Sequence, residues 1–347
     1  MSKLLPQLES FNELFLIAEA GVNHEGSLET ALRMVEGAAS AGASAIKFQA
    51  YTADGIAHKQ HAKSYWDRTE ENESSQYNLF KKYETFSKEE WEVIRKSCVT
   101  NKIEFWLSIF ETKLVESLGP LCDGLKVASG DITFKRLHEE IFRLNKPTIF
   151  SLGAANHNEI IDLENKCIGK NYATLMCRLI YPTDDKYANY INYKDMKNKY
   201  KSIKGISDHC REVNSETILM SYLLGASILE KHFTLDTNLK GNDHYHSCTP
   251  SSLKKAMESI SRMKIILGSN KLELPLKQEL PARKGARRSL YLTKDLTKDQ
   301  LIEPNDLIEL RPCIGICASK INNVIGKYVN KNMNEGDLLT LDDIRED

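Results

Sequence analysis

The sequence has no unbroken apolar run near the length of about 18 residues that a membrane-spanning helix needs, so no helical span is expected. It also lacks a Gly-x-Gly-x-x-Gly turn after its first strand-like run, which argues against a dinucleotide-binding open sheet. Neither sign of charge is in excess. The formal net charge of −1 leaves no global field to attract nucleic acid or an anionic membrane, so neither is expected as a partner. An anionic ligand would have to be held by local geometry. Met1–Phe11 has no basic segment leading into an apolar core, so no signal peptide is expected and the protein is placed in the cytoplasm. Of the eight cysteines no two have zinc-ribbon spacing, and they read as reduced thiols.

What is present is globular: 41% hydrophobic and 27% charged residues over 347 positions, enough for one large domain and a small one. Strand-like and helix-like segments alternate from Phe15 to about Leu267. Strands are expected near Leu14–Ala18, Ala45–Ala50, Ile103–Ser108, Gly124–Ala128, Pro147–Ser151, Tyr172–Cys177, Lys204–Ser207 and Ser227–Lys231. The first helix starts after Ser27, a good N-cap, with Leu28, Ala31, Leu32, Val35 and Ala39 at helical spacing. The last, Ser252–Leu267, is expected to bury Leu253, Met257, Ile260, Met263 and Leu267 and to stop at Gly268. Tyr51–Thr85, with its acidic Glu70–Glu73 stretch, reads as a long loop over the mouth of the fold. Eight strand–helix pairs fit an α/β fold, a (β/α)₈ TIM barrel over residues 1–270, with a doubly wound open sheet as the alternative. Residues 271–285 read as a linker, and residues 286–347 as a second unit of about 60 residues that would be marginal alone.

Four runs end in groups able to handle phosphate, a sugar or a metal: Glu19, Lys47 with Gln49, Ser207 with His209, and His232. A parallel barrel brings such strand ends together. On adjacent strands His209 and His232 could share one ion and leave positions open for substrate; the plainer alternative is a pair of hydrogen-bonded core histidines. Imidazole with oxygen ligands suits Mn²⁺, Fe²⁺ or Co²⁺ as well as Zn²⁺. Lys47 and Lys126 end otherwise apolar strands, where a lysine is costly to bury unpaired. With the hydroxyls of Ser108, Ser129, Ser151 and Ser207 they form a candidate phosphate or carboxylate cradle. Alternatively they pair internally with Glu19 or Asp131. Glu19 beside these cations could exchange protons with a substrate.

The segments Ile17–Gly26, Lys47-Phe48-Gln49, Tyr181-Pro182-Thr183, Ser207-Asp208-His209, Lys231-His232-Phe233-Thr234 and Gly241-Asn242-Asp243-His244 occur in this order. Arg287-Arg288-Ser289 and Leu310-Arg311-Pro312 follow in the tail. Together they resemble the sialic acid synthase family, which makes nonulosonic acids, over nearly the whole chain. The resemblance implies a TIM barrel followed by a small antifreeze-like (SAF) domain, swapped onto the partner's barrel in a homodimer. It implies a transferase that condenses phosphoenolpyruvate with an open-chain N-acyl hexosamine and water, releasing phosphate by C–O cleavage. The sugar would be N-acetylmannosamine or a 2,4-diacetamido-trideoxyhexose. A divalent metal is implied at His209 and His232, Mn²⁺ first, with Mg²⁺ or Co²⁺ as alternatives. Glu19 is implied as acid/base. Lys47, Ser108, Lys126, Ser129, Ser151 and Ser207 are implied as the phosphoenolpyruvate grip. Gln49, Asp131, Tyr181 and Asp243 would hold the sugar, with Arg311 reaching over from the partner; Arg311 also reads as an ordinary surface residue.

Several positions depart from the family's usual pattern. Asp131 stands where glutamate is common, Leu179 where asparagine or serine is usual, Leu152 for a frequent threonine, and Cys313 for the glycine of Arg-Pro-Gly. Two of these lie on the sugar side, so they bear on which sugar is used. Two other functions remain open: a 3-deoxy-ulosonic acid phosphate synthase acting on a phosphorylated aldose, and a non-catalytic carbohydrate- or ice-binding protein.

Overall fold

The structure is a computed structural model describing residues 14–66, 71–84, 86–241, 243–268, 271 and 273–346. Met1–Phe11, Glu70, Thr85 and Asn242, which figure in the expectations above, lie outside the described residues. Eight parallel strands close into a barrel: β1 (Phe15–Gly21), β2 (Ala45–Ala50), β3 (Glu104–Ile109), β4 (Gly124–Val127), β5 (Thr148–Ser151), β6 (Tyr172–Cys177), β7 (Ile203–Asp208) and β8 (Ile228–His232). Strand β1 pairs with β8, with Glu19 opposite His232, and with β2, with Glu19 opposite Lys47. The expected TIM barrel is therefore the observed one.

Side chains alternate across each strand. Phe15, Ile17, Ala45, Trp106, Ile149, Leu175 and Ile228 form a compact cluster filling the barrel interior. Leu16, Ala18, Ile46, Phe48, Leu107, Phe150 and Leu229 belong to a larger cluster with the surrounding helices. Trp106 takes so much interior space that β4 needs glycine: a Cβ at Gly124 would lie 2.2 Å from the indole. Gly205 is required likewise, since a Cβ there would sit 1.8 Å from the carbonyl oxygen of Ile228. Above this plug the inward positions turn polar, which places the reactive groups at the strands' carboxyl ends.

The first helix spans Leu28–Ser40, and the Ser27 hydroxyl caps it by accepting from the Thr30 N–H at 3.1 Å. Tyr51–Thr85 is not one long loop: it carries the short helices Ala53–Ile56 and Gln76–Lys82, each with a hydroxyl N-cap. The last barrel helix runs Pro250–Leu267 and buries Leu253, Ala256 and Ile260. Leu267 is exposed, with Ile265 and Ile266 beside it, because the final turn outruns the barrel wall it packs on.

The chain divides after Gly268 into two compact units. In the second, the stretch expected as a linker contains a helix, Leu280–Ala286. The rest holds two small antiparallel ladders, β9 (Ser289–Leu292) with β10 (Leu307–Leu310) and β11 (Tyr328–Val329) with β12 (Ile344–Arg345). This unit has its own apolar cluster of Leu290, Leu292, Ile302, Val324, Val329 and Leu339, among others. Arg311, just past β10, is exposed.

Candidate active site

A cavity of about 420 Å³ opens at the carboxyl end of the barrel. Every barrel residue proposed for the site from the sequence lines it: Glu19, Lys47 and Gln49 from β1 and β2, Ser108, Lys126 and Ser151 from β3, β4 and β5, and Ser129 and Asp131 from the turn after β4. Tyr181, Ser207, His209, His232 and Asp243 complete that set from the far side. Arg311 belongs to the second unit. The segment 51–84, expected over the mouth, contributes Ile56, Tyr65, Trp66, Leu79 and Phe80 together with Glu71 and Gln76, a mainly apolar wall.

At the floor, Lys47 pairs with Glu19 and donates to the Ser108 hydroxyl at 3.0 Å. Gln49 donates its amide to the other Glu19 oxygen at 3.1 Å. A carboxylate absent from the sequence-based set, Glu230, joins the two cations: it lies 3.7 Å from Lys47 and 4.0 Å from Lys126, and accepts from the Ser207 hydroxyl at 3.0 Å. The expected internal pairing of the lysines is thus made with Glu19 and Glu230, not with Asp131. Alternation was the signal that could have found Glu230, since it shares its strand face with His232. Burial alone would raise the Glu230 carboxyl, but Lys126 and Lys47 overcome it and hold it at about 2. Burial lowers the Lys126 ammonium, opposed by Glu230. The Ser151 hydroxyl is buried here without a hydrogen-bond partner. Two ammonium groups and an unspent hydroxyl in a dry floor suit a small, multiply charged anion.

Higher in the cavity, the His209 and His232 rings meet edge to face, centroids 5.2 Å apart, and Tyr181 stacks on His209 at 4.1 Å. His209 Nδ1 faces the Arg178 carbonyl at 2.6 Å, and since a carbonyl only accepts, Nδ1 carries a proton and Nε2 is the nitrogen left to a ligand. His232 Nδ1 has no hydrogen-bond partner but lies 3.2 Å from Asp243 Oδ2. Burial would raise the Asp243 carboxyl; the imidazoles of His232, His246 and His209 hold it below its ordinary range. An oriented imidazole, an unpaired imidazole nitrogen and an ionised carboxylate fit a divalent ion. Asp131, also on the cavity wall, is pushed up to about 6 by burial, against the pull of Lys126. His246, whose ring centroid lies 4.7 Å from that of His232, was missed by sequence reasoning because it ends a three-residue turn, His244–His246, too short to have a periodicity that aims it.

Comparison with known proteins agrees with this architecture. A model of the NeuB family matches residues 34–272, and one of the SAF domain matches residues 287–345. The chain is 34% identical to the N,N'-diacetyllegionaminic acid synthase of Legionella pneumophila, over 94% of this chain and 93% of that one. It is also 34% identical to the synthase of the same name from Campylobacter jejuni, over 93% and 98%. Among solved structures, the N-acetylneuraminic acid synthetase of Leptospira borgpetersenii, in complex with citrate, superposes with a TM-score of 0.67 at 33% identity, covering 79% of this chain and 91% of that one. The chain therefore belongs to the NeuB family: it is an enzyme built as a TIM barrel with a C-terminal SAF domain, and its named relatives are synthases of sialic-type acids.

Proposed function

We propose that the protein condenses phosphoenolpyruvate with the open-chain aldehyde of an N-acyl hexosamine, giving a nonulosonic acid and phosphate. The observation that carries this reading is the pair of buried lysines, Lys47 and Lys126, converging on one carboxylate beneath the histidine-lined mouth. Such ammonium groups are set to trade their internal partners for the phosphate and carboxylate of the ligand. Ser108, Ser129, Ser151 and Ser207 supply hydroxyl donors around them. The sugar lies above, against Gln49, Asp131, Tyr181 and Asp243.

His209 and His232, with Asp243, would hold the divalent ion, which when bound supplies Lewis-acid polarisation of the aldehyde. Carbon 3 of phosphoenolpyruvate attacks the aldehyde carbon held by these side chains, forming the C–C bond. The aldehyde oxygen becomes the new hydroxyl by taking a proton, which the water added in the next step supplies through Glu19. Positive charge appears at carbon 2, and the Glu19 and Glu230 carboxylates of the cavity would favour it. Water adds there and gives its proton to Glu19. Collapse of the resulting tetrahedral carbon turns its hydroxyl into the ketone and breaks the C–O bond to phosphate, which leaves with its bridging oxygen and that hydroxyl's proton while Lys47 and Lys126 balance its charge.

In the assembly proposed here, two chains form a homodimer and the SAF unit of one supplies Arg311 to the sugar end of the other. The test of the reaction is incubation with phosphoenolpyruvate labelled with ¹⁸O at the bridging position and, in parallel, N-acetylmannosamine, a 2,4-diacetamido-trideoxymannose or arabinose 5-phosphate. Labelled phosphate with an N-acyl hexosamine supports the reading. Turnover with arabinose 5-phosphate alone, or none with any sugar, would overturn it.

A further inference from the structure

The His246 side chain is completely buried, yet neither ring nitrogen meets a hydrogen-bond partner among the described residues. Buried polar groups in folded proteins are almost always satisfied, so an imidazole with no protein partner at either nitrogen calls for an explanation. Its ring packs against Tyr245 at 4.7 Å and Tyr181 at 6.1 Å, but these contacts engage its faces and edges and leave the nitrogens unanswered. If packing were its whole role, phenylalanine would fill the place without the cost of a desolvated donor and acceptor.

The neighbours of those nitrogens are themselves candidate ligands. His246 Nε2 lies 3.7 Å from Asp243 Oδ1, whose other oxygen lies 3.2 Å from His232 Nδ1. One donor atom from each of His232, Asp243 and His246 lies within 4.8 Å of the others, a spacing that small side-chain rotations close onto a single ion. The loop carrying the last two is pinned in place. Asn23 accepts from the Asp243 N–H at 3.2 Å and donates to the Phe233 carbonyl at 3.0 Å, and the Ser247 hydroxyl donates to the Asp243 carbonyl at 2.5 Å. Asn23 therefore ties this loop to the residue following His232, so the three donors keep their mutual positions.

From this geometry we infer that His246 is a third imidazole ligand of the divalent-metal centre, joining His209, His232 and Asp243 in a set of three nitrogens and one carboxylate oxygen. The inference rests on the metal-dependent reading above and goes beyond its two histidines. It also selects among ions. Three imidazoles favour Fe²⁺, Co²⁺ or Zn²⁺ over Mg²⁺, which takes oxygen ligands.

The test uses the full chain stripped of metal and then loaded with one ion, with no substrate present. Pulsed electron paramagnetic resonance on the Mn²⁺ form counts coordinated imidazole nitrogens, and Co²⁺ titration followed by visible absorption gives affinity. Wild type is expected to show three nitrogens. His246→Phe, which keeps the ring packing, is expected to show two and to bind Co²⁺ at least about ten-fold more weakly. His246→Ala should behave like His246→Phe. Two nitrogens in wild type, or variants within two-fold of wild type in affinity with an unchanged count, would overturn the assignment; the wild-type count decides even if both variants misfold. Failure of the synthase reading would appear separately, as absence of phosphate release with every sugar while the nitrogen count stays at three.

Discussion

Lys231 and Asp208 form an ion pair at 2.7 Å in which neither side chain reaches solvent beyond 1%. They are register partners across β7 and β8, and each directly precedes a cavity histidine, His209 or His232. Alternation turns this pair outward, away from the cavity, while the histidines face in. Lys231 also donates to the Cys210 carbonyl at 2.5 Å, and Asp208 accepts from the Thr217 hydroxyl at 2.6 Å and the Cys210 N–H at 2.8 Å. Two adjacent strands are thus locked in register immediately below the metal-binding candidates. Lys231→Ala leaves a buried carboxylate without its cation and should cost about 3–5 kcal/mol in urea unfolding. Lys231→Met combined with Asp208→Leu should cost less than the sum of the single changes, because neither charge then remains alone. Strict additivity in the double-mutant cycle would show that the pair is not coupled.

Stability should also depend on pH through these groups. Burial would raise the Asp208 carboxyl, but Lys231 and the surrounding donors hold it at about 2 against a usual 3.8, and Glu230 is held at about 2 against 4.5. A depressed carboxyl contributes stability above its unfolded value, and that contribution is lost as pH falls through the folded one. Unfolding free energy should therefore drop between about pH 4.5 and 2. For Lys231 burial works against the ammonium, but Asp208 outweighs it and the net shift is upward. Its contribution is present below the unfolded value of about 10.4 and is lost as pH rises through the folded one. Asp208→Asn should be less stable at neutral pH and show a shallower acid slope. An unchanged slope would mean that Asp208 does not carry the acid sensitivity.

Much of this site was legible in the sequence, for a geometric reason. A parallel barrel brings strand ends to one face, so Glu19, Lys47, Lys126, Ser207, His209 and His232 could be gathered from local pattern alone. Glu230 escaped because attention to the strand's last residue, His232, passed over the inward position two residues before it. The segment bearing Tyr65, Trp66 and Phe80 was expected over the mouth, but not its helices or its inward apolar side chains, because it is polar and aperiodic and its short helices are marked by hydroxyl caps instead of apolar spacing. The tether from Asn23 to the Asp243 loop joins residues 220 positions apart, which no local pattern encodes, and His246 sits on a three-residue turn with no periodicity to aim it. The final helix was read too generously, since periodic apolar residues such as Leu267 continue past the surface they would cover.

Asp131 offers a pH signature on the sugar side. With burial holding its carboxyl at about 6, it is ionised at pH 7.5 and mostly protonated at pH 5. As a hydrogen-bond acceptor for a sugar hydroxyl it would weaken as the proton is added. At saturating phosphoenolpyruvate the sugar KM should rise roughly ten-fold from pH 7.5 to 5, in line with one titrating group. Asp131→Asn should flatten that rise. A wild-type sugar KM indifferent to pH in this window would remove Asp131 from sugar binding.

Metal removal gives a further check. Chelation with EDTA should abolish phosphate release while leaving the melting profile nearly intact, since the barrel core beneath the site is apolar and separate from it. Added Mn²⁺ or Co²⁺ should restore turnover. His209→Ala and His232→Ala should not be rescued by either ion. Full activity in the presence of excess chelator would exclude a metal role for these histidines.

The proposed contact of Arg311 with the partner's barrel can be tested by complementation. Arg311→Ala should raise the sugar KM about ten-fold, the loss of one charge-assisted hydrogen bond, with the phosphoenolpyruvate KM nearly unchanged. Lys126→Ala should disable the barrel of its own chain by removing a cation from the phosphate cradle. Co-expressed, the two variants form mixed dimers in which the intact barrel of the Arg311→Ala chain faces the intact Arg311 of the Lys126→Ala chain. Activity at low sugar should then return, up to about a quarter of wild type: random pairing makes half the dimers mixed, each with one of its two sites complete. If Arg311 served its own barrel, no pairing of these chains would assemble a complete site, and the mixture would be no more active than Arg311→Ala alone.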